Sequence, residues 1–226
     1  MKILKDTVEG VSFEQEVRRI ELEGVKCFKD HELTQESENV WLCQRPKSSV
    51  YGFRLVFVPG IIFFGGDLGE QVWKPYRQDT LAWFLDALDS RSYFWEKASF
   101  REESFYLSDA MRLIDDAIKQ YKSDGKEKGE DNSEEIAAWK LFRTNFSERL
   151  DGEYENTASE WYAAYREVMN DHEAPGCCDL STQSLYQYEA CKAFARLYKA
   201  QSDRTPDRTS DRTALSALST IVEAKP

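Results

Sequence analysis

The chain has 226 residues, 41% of them hydrophobic and 31% charged, with 41 acidic against 30 basic side chains for a net charge of −11. That composition excludes a mostly disordered chain. The negative charge disfavours direct nucleic-acid binding, because phosphate backbones repel such a surface.

No apolar run approaches the roughly 18 residues of a membrane span. The start, Met1 to Asp6, lacks the apolar region of a signal peptide. Five cysteines, an odd number, read as reduced thiols, so the expected setting is a cytosol. The charge is uneven: residues 102–180 hold 20 acidic and 9 basic groups.

In chain order, Ile20-Glu21-Leu22-Glu23 alternates apolar and polar residues, which predicts a strand interrupted by Gly24. Val40 to Cys43 predicts a short strand ending at Arg45-Pro46. In Tyr51 to Val58, the residues Tyr51, Phe53, Leu55 and Phe57 share one parity and so one face of a sheet. Pro59-Gly60 is a turn, and the continuous apolar run Ile61 to Phe64 predicts a strand covered on both faces. Gly65-Gly66-Asp67-Leu68-Gly69 then punctuates the chain. These strands predict an antiparallel meander.

After Tyr76 the period changes. Asp79 is a good N-cap for a helix carrying Leu81, Phe84, Leu85 and Leu88. A second helix is expected from about Ser108, a mobile loop over Ser123–Asn132, a third helix from about Ser133, and a fourth from Thr157, with Glu160 completing a capping box. A fifth spans about Leu185 to Ala200. The tail repeats Asp-Arg-Thr at 203–205, 207–209 and 211–213, and reads as a polar linker ahead of a short apolar segment. The fold class is therefore α+β: an antiparallel sheet over residues 1–76, a helical half over 77–201 packed on it, and a tail over 202–226.

The glycine-rich loop matches neither the dinucleotide fingerprint nor a P-loop. Its Asp67 is a candidate ligand or general acid at a strand end; the competing reading is a turn residue bonding its own backbone. His31 and His172 lie near Cys27 and Cys177-Cys178, but the paired cysteine units of structural zinc are missing, so no metal or other cofactor is assigned. Trp73 and Trp95 sit beside charged residues and are the aromatic interface candidates. The acidic candidates for a partner surface are Glu127, Glu130, Asp131, Glu134 and Glu135, with Asp151, Glu153 and Glu155. Leu215, Leu218, Ile221 and Val222 are candidates for self-association.

From Arg45-Pro46 through Pro59-Gly60 to Gly66-Asp67-Leu68-Gly69, then Ser92 to Lys97, a helix from Glu103-Ser104-Phe105 to Leu113, and Cys177-Cys178 ahead of Tyr188-Glu189-Ala190, the chain resembles a group of uncharacterised proteins encoded by tailed phages and prophages. Their hallmark is a P-G…G-D-(M/L)-G hairpin followed by helices. The resemblance covers about residues 40–200; Val58 stands where an aromatic is common, and the Asp-Arg-Thr tail departs from the pattern. It carries over no catalytic residue. It implies a mobile genetic element acting in a bacterial host's cytosol.

The expected function is thus an acidic, non-enzymatic binding protein that engages and inhibits a host protein, for instance a CRISPR-Cas or other anti-phage component, by surface contact and in one version by nucleic-acid mimicry. The alternatives are a small enzyme acting on a nucleotide or signalling molecule at Asp67, and an assembly accessory.

Overall fold

A computed structural model describes residues 2–150, 157–169 and 174–203, with backbone alone for residues 2–7. In chain order the elements are β1 (Lys2–Val8), α1 (Phe13–Cys27), β2 (Glu32–Ser37), β3 (Val40–Gln44), β4 (Phe53–Val58), β5 (Ile61–Gly66), β6 (Gly69–Trp73), α2 (Thr80–Ala87), α3 (Arg91–Glu96), β7 (Arg101–Tyr106), α4 (Leu107–Lys128), α5 (Ser133–Leu150), α6 (Thr157–Met169), β8 (Cys178–Leu180) and α7 (Thr182–Ser202). The class is α+β.

The meander runs β2-β3-β4-β5-β6, every neighbour antiparallel. Parity sets its buried face: Phe53, Leu55 and Phe57 on β4 pack with Ile62 and Phe64 on β5. The run Ile61 to Phe64 is covered on one face only, because Phe63 stays 43% exposed while Ile62 and Phe64 are buried. Each buried side chain of that face stabilises the fold by roughly 1.5–3 kcal/mol relative to exposure.

A second, three-stranded sheet has the order β1-β7-β8. Here β1 pairs parallel to β7 and β8 antiparallel to it. The first strand therefore belongs to a different sheet from the meander that follows it.

The expected strand at Ile20–Glu23 is the middle of α1. Four alternating residues satisfy a period of 2 and part of a period of 3.6, and the longer pattern of buried Val17, Ile20 and Gly24 is helical. Ser12 caps this helix in a full capping box with Gln15. Gly24 is not a strand break: α7 comes so close that a Cβ there would lie 2.8 Å from Glu189 Cβ.

The expected loop at Ser123–Asn132 is also corrected. Helix α4 continues to Lys128, with an Asp124–Lys128 ion pair of 3.4 Å at (i, i+4) spacing, two lysines in its last turn, and Gly129 left-handed after it. Residues 103–106, which the family resemblance places in a helix, belong to β7, and the helix starts at Leu107. Glu160, expected to close a capping box with Thr157, accepts from Arg149 at 2.8 Å.

Two hydrophobic clusters hold the molecule together. The first joins the meander, α1, α2, α3 and α7; the second joins α4, α5 and α6 around Phe105, Phe142, Phe146 and Trp161. Residue 76 lies inside the first cluster's span, since Trp73, Trp83 and Phe94 pack in one core with Phe194. Trp73 and Trp95, the expected interface aromatics, are 0% and 2% exposed with ring centroids 5.9 Å apart. Their charged sequence neighbours point elsewhere, so neither indole is available to a partner surface. No helix among the described residues is long and apolar enough to cross a membrane.

Candidate functional site

Two-residue loops need special backbone angles, and here glycines supply them. Gly66 and Gly69 pair across the end of the β5–β6 hairpin with φ of 156° and 84°, leaving Asp67-Leu68 as its tip. The Asp67 N–H donates to Gly52 O at 3.1 Å. Leu68 is buried, and its carbonyl accepts from both Gln183 Nε2 (3.0 Å) and Gln187 Nε2 (2.9 Å) on α7. One helix thus fixes the loop in place. Asp67 remains exposed, and its carboxylate accepts no hydrogen bond from a described residue. The turn is held by backbone and by the glutamines, not by the aspartate's side chain.

Asp67 lines a cleft of about 440 Å³ with Ser104, Ser181, Thr182, Gln183 and Tyr186. Ser181 is the N-cap of α7, its Oγ accepting from Ser184 N at 3.1 Å and donating to Ser184 Oγ at 3.3 Å. Thr182 Oγ1 donates to Glu16 at 2.8 Å, and the Tyr186 hydroxyl donates to Glu23. Arg19 binds both of those carboxylates, Glu16 at 2.6 Å and Glu23 at 2.8 Å.

The electrostatics follow. The Arg19 guanidinium holds the Glu16 carboxyl below its ordinary range, against the opposing effect of burial. Glu23 is lowered by the Tyr186 hydroxyl and then by Arg19. Burial, reinforced by the Glu23 carboxylate, pushes the Tyr186 phenol up to about 12, so it stays a neutral donor. Ser181, Thr182 and Tyr186 all commit their protons to protein acceptors. Each oxygen can still accept. With the Asp67 carboxylate, the cleft presents acceptors to whatever enters it and suits a donor-rich, cationic group better than a phosphate.

The other candidates are dispersed. His31 is buried, its Nε2 lies 3.2 Å from Tyr51 O, and burial chiefly lowers its pKa, which keeps it neutral near pH 7. Burial pushes the Cys177 thiol up to about 12, away from a reactive thiolate. His172, Asp151, Glu153, Glu155, Leu215, Leu218, Ile221 and Val222 lie outside the described residues. Among the described residues no three His, Cys, Asp or Glu side chains are grouped to hold a metal ion.

Glu127, Glu130, Asp131, Glu134 and Glu135 are all exposed where α4 hands over to α5. None forms an ion pair with a described residue; Asp131 Oδ1 accepts from Ser133 N at 3.1 Å.

Sequence reasoning missed the Glu16–Arg19–Glu23 triad. Its signal is three charges at i, i+3 and i+7, the spacing of one helical face, hidden once Ile20–Glu23 is read as a strand. No family model matches the chain, and no match is found among curated proteins or among solved structures.

Proposed function

We propose that this chain is an acidic binding protein of tailed-phage or prophage origin, which engages a basic surface of a host protein and inhibits it. The observation that carries the reading is the group of five exposed carboxylates, Glu127, Glu130, Asp131, Glu134 and Glu135, around one interhelical turn without an ion-pair partner among the described residues. Uncompensated like charges repel one another, and a complementary basic patch relieves that repulsion while steering association. A CRISPR effector or another nucleic-acid-handling defence component has such a patch, which would make the carboxylates stand-ins for phosphates.

The test replaces all five by lysine and compares the host proteins retained at low and high salt. The unaltered chain retains a stoichiometric partner that high salt releases. Equal retention by the five-lysine variant overturns the proposal.

The Asp67 cleft supports a second reading, a small-molecule site. Its outward-facing acceptors favour an amine or a polyhydroxyl compound, and in a nucleotide they fit the base or ribose rather than the phosphates. Asp67→Ala then abolishes ligand binding while leaving the folded chain intact.

A further inference from the structure

A second cavity, of about 320 Å³, opens between the start of α1, α3, β7 and β8, and its lining includes Phe13, Arg91, Ser92, Trp95 and Arg101. Its hydrogen-bonding inventory is one-sided. Arg91 lies with its guanidinium carbon 5.3 Å from the Phe13 ring centroid and forms no ion pair with a described residue. That cation–π contact consumes none of the guanidinium N–H donors, which stay available for a planar acceptor. Trp95 is 2% exposed, and its Nε1–H is buried without an acceptor. A buried donor left unmade is costly, so it calls for an explanation.

The one carboxylate lining the cavity, Asp179, is already engaged, as is Glu103 beside Arg101. Arg101 lies 2.9 Å from Glu103 and 3.2 Å from Asp179, and Asp179 Oδ1 also accepts from Leu180 N at 2.8 Å. The Ser92 hydroxyl is 3.4 Å from that of Ser90. Donors therefore exceed acceptors, and two lining guanidinium groups against the single lining carboxylate of Asp179 leave a formal charge of +1. A monoanion neutralises that charge; a dianion would overshoot it beside the Asp179 carboxylate. The aromatic rings of Phe13 and Trp95 add flat apolar walls, and the volume suits a ligand at the small end of the roughly 300–1,000 Å³ range of binding cavities.

We propose that this cavity binds a small organic carboxylate with a flat apolar body, its two oxygens paired with the Arg91 fork and its approach completed by the Trp95 indole N–H. Arg–carboxylate pairing of this bidentate kind is geometrically selective.

The probe is benzoate, added to the full chain with the indole N–H resonances followed by NMR; Trp95→Phe identifies the Trp95 signal by its loss. Benzoate shifts that resonance saturably, and inorganic phosphate does not. Arg91→Gln weakens benzoate at least about tenfold, while the indole signals of the remaining tryptophans keep their positions and report an intact fold. A Trp95 resonance unmoved up to about 10 mM benzoate overturns the proposal. So does an affinity indifferent to Arg91→Gln, and so does a response to phosphate alone.

Discussion

Thr182 donates its hydroxyl hydrogen to Glu16 at 2.8 Å across 166 positions of sequence. Glu16 is 4% exposed, and Arg19 is its other partner. This contact ties α1 to the first turn of α7, where Thr182 lines the Asp67 cleft.

Glu16→Gln keeps the shape and removes the charge, which costs about 1–3 kcal/mol near pH 7. The folded carboxyl titrates below its ordinary 4.5. Its stabilisation is therefore fully present above that value and is lost as pH falls through the lower, folded one. Urea unfolding near neutral pH and again in acid shows the two proteins converging as pH drops. A gap that persists in acid contradicts the assignment.

Neighbouring glycines differ sharply. A Cβ at Gly65 meets nothing within 4 Å, whereas one at Gly66, with φ 156°, comes within 2.2 Å of Gly52 O and 2.7 Å of Phe53 Cα. Both obstacles are backbone and cannot swing aside. Gly65→Ala leaves the unfolding midpoint nearly unchanged, and Gly66→Ala destabilises by about 2–4 kcal/mol or prevents folding. Similar midpoints for the two variants contradict the hairpin geometry.

Asp67→Ala changes stability by less than about 0.5 kcal/mol, because no described residue hydrogen-bonds to its carboxylate. Thermal unfolding decides between this and the reading of Asp67 as the residue that forms the turn, for which a clear loss is required.

Trp73→Ala behaves in the opposite way. The indole is fully buried against Phe94 at 4.8 Å and Trp95 at 5.9 Å, so truncation costs about 3–5 kcal/mol and lowers soluble yield. A surface hot spot would instead leave the fold unaffected.

The thiols sort by burial. Desolvation pushes Cys43 and Cys177 up to about 12 and raises Cys191 well above the ordinary range. A thiol-specific reagent near neutral pH modifies these three only slowly, and all five cysteines react after denaturation. Mass mapping of early adducts checks it; early labelling of Cys43 or Cys191 would show the first core to be open.

The meander was legible in the sequence because its evidence is local: aromatics of one parity on Phe53–Phe57, a Pro-Gly turn, and glycines at the next corner. The helices starting near Asp79, Ser133 and Thr157 were legible for the same reason, each carrying its own apolar stripe. Helix α1 was not, since four residues are too short a window to separate its period from a strand's. Neither was β7, whose partners are β1, nearly a hundred residues upstream, and β8, more than seventy downstream. The Asp67 loop could be located from its glycines. Its setting could not, because Thr182, Gln183 and Tyr186 arrive from α7 and the charges behind them from α1.

That long-range pairing has a consequence for biosynthesis. Residues 32–73 can zip up neighbour by neighbour as they leave the ribosome, since each strand's mate is the next to emerge. Strand β1 must wait, its edge open to stray pairing, until Arg101–Tyr106 is translated, and the small sheet closes only with Cys178–Leu180. Strand β1, translated ahead of the meander, pairs only after it.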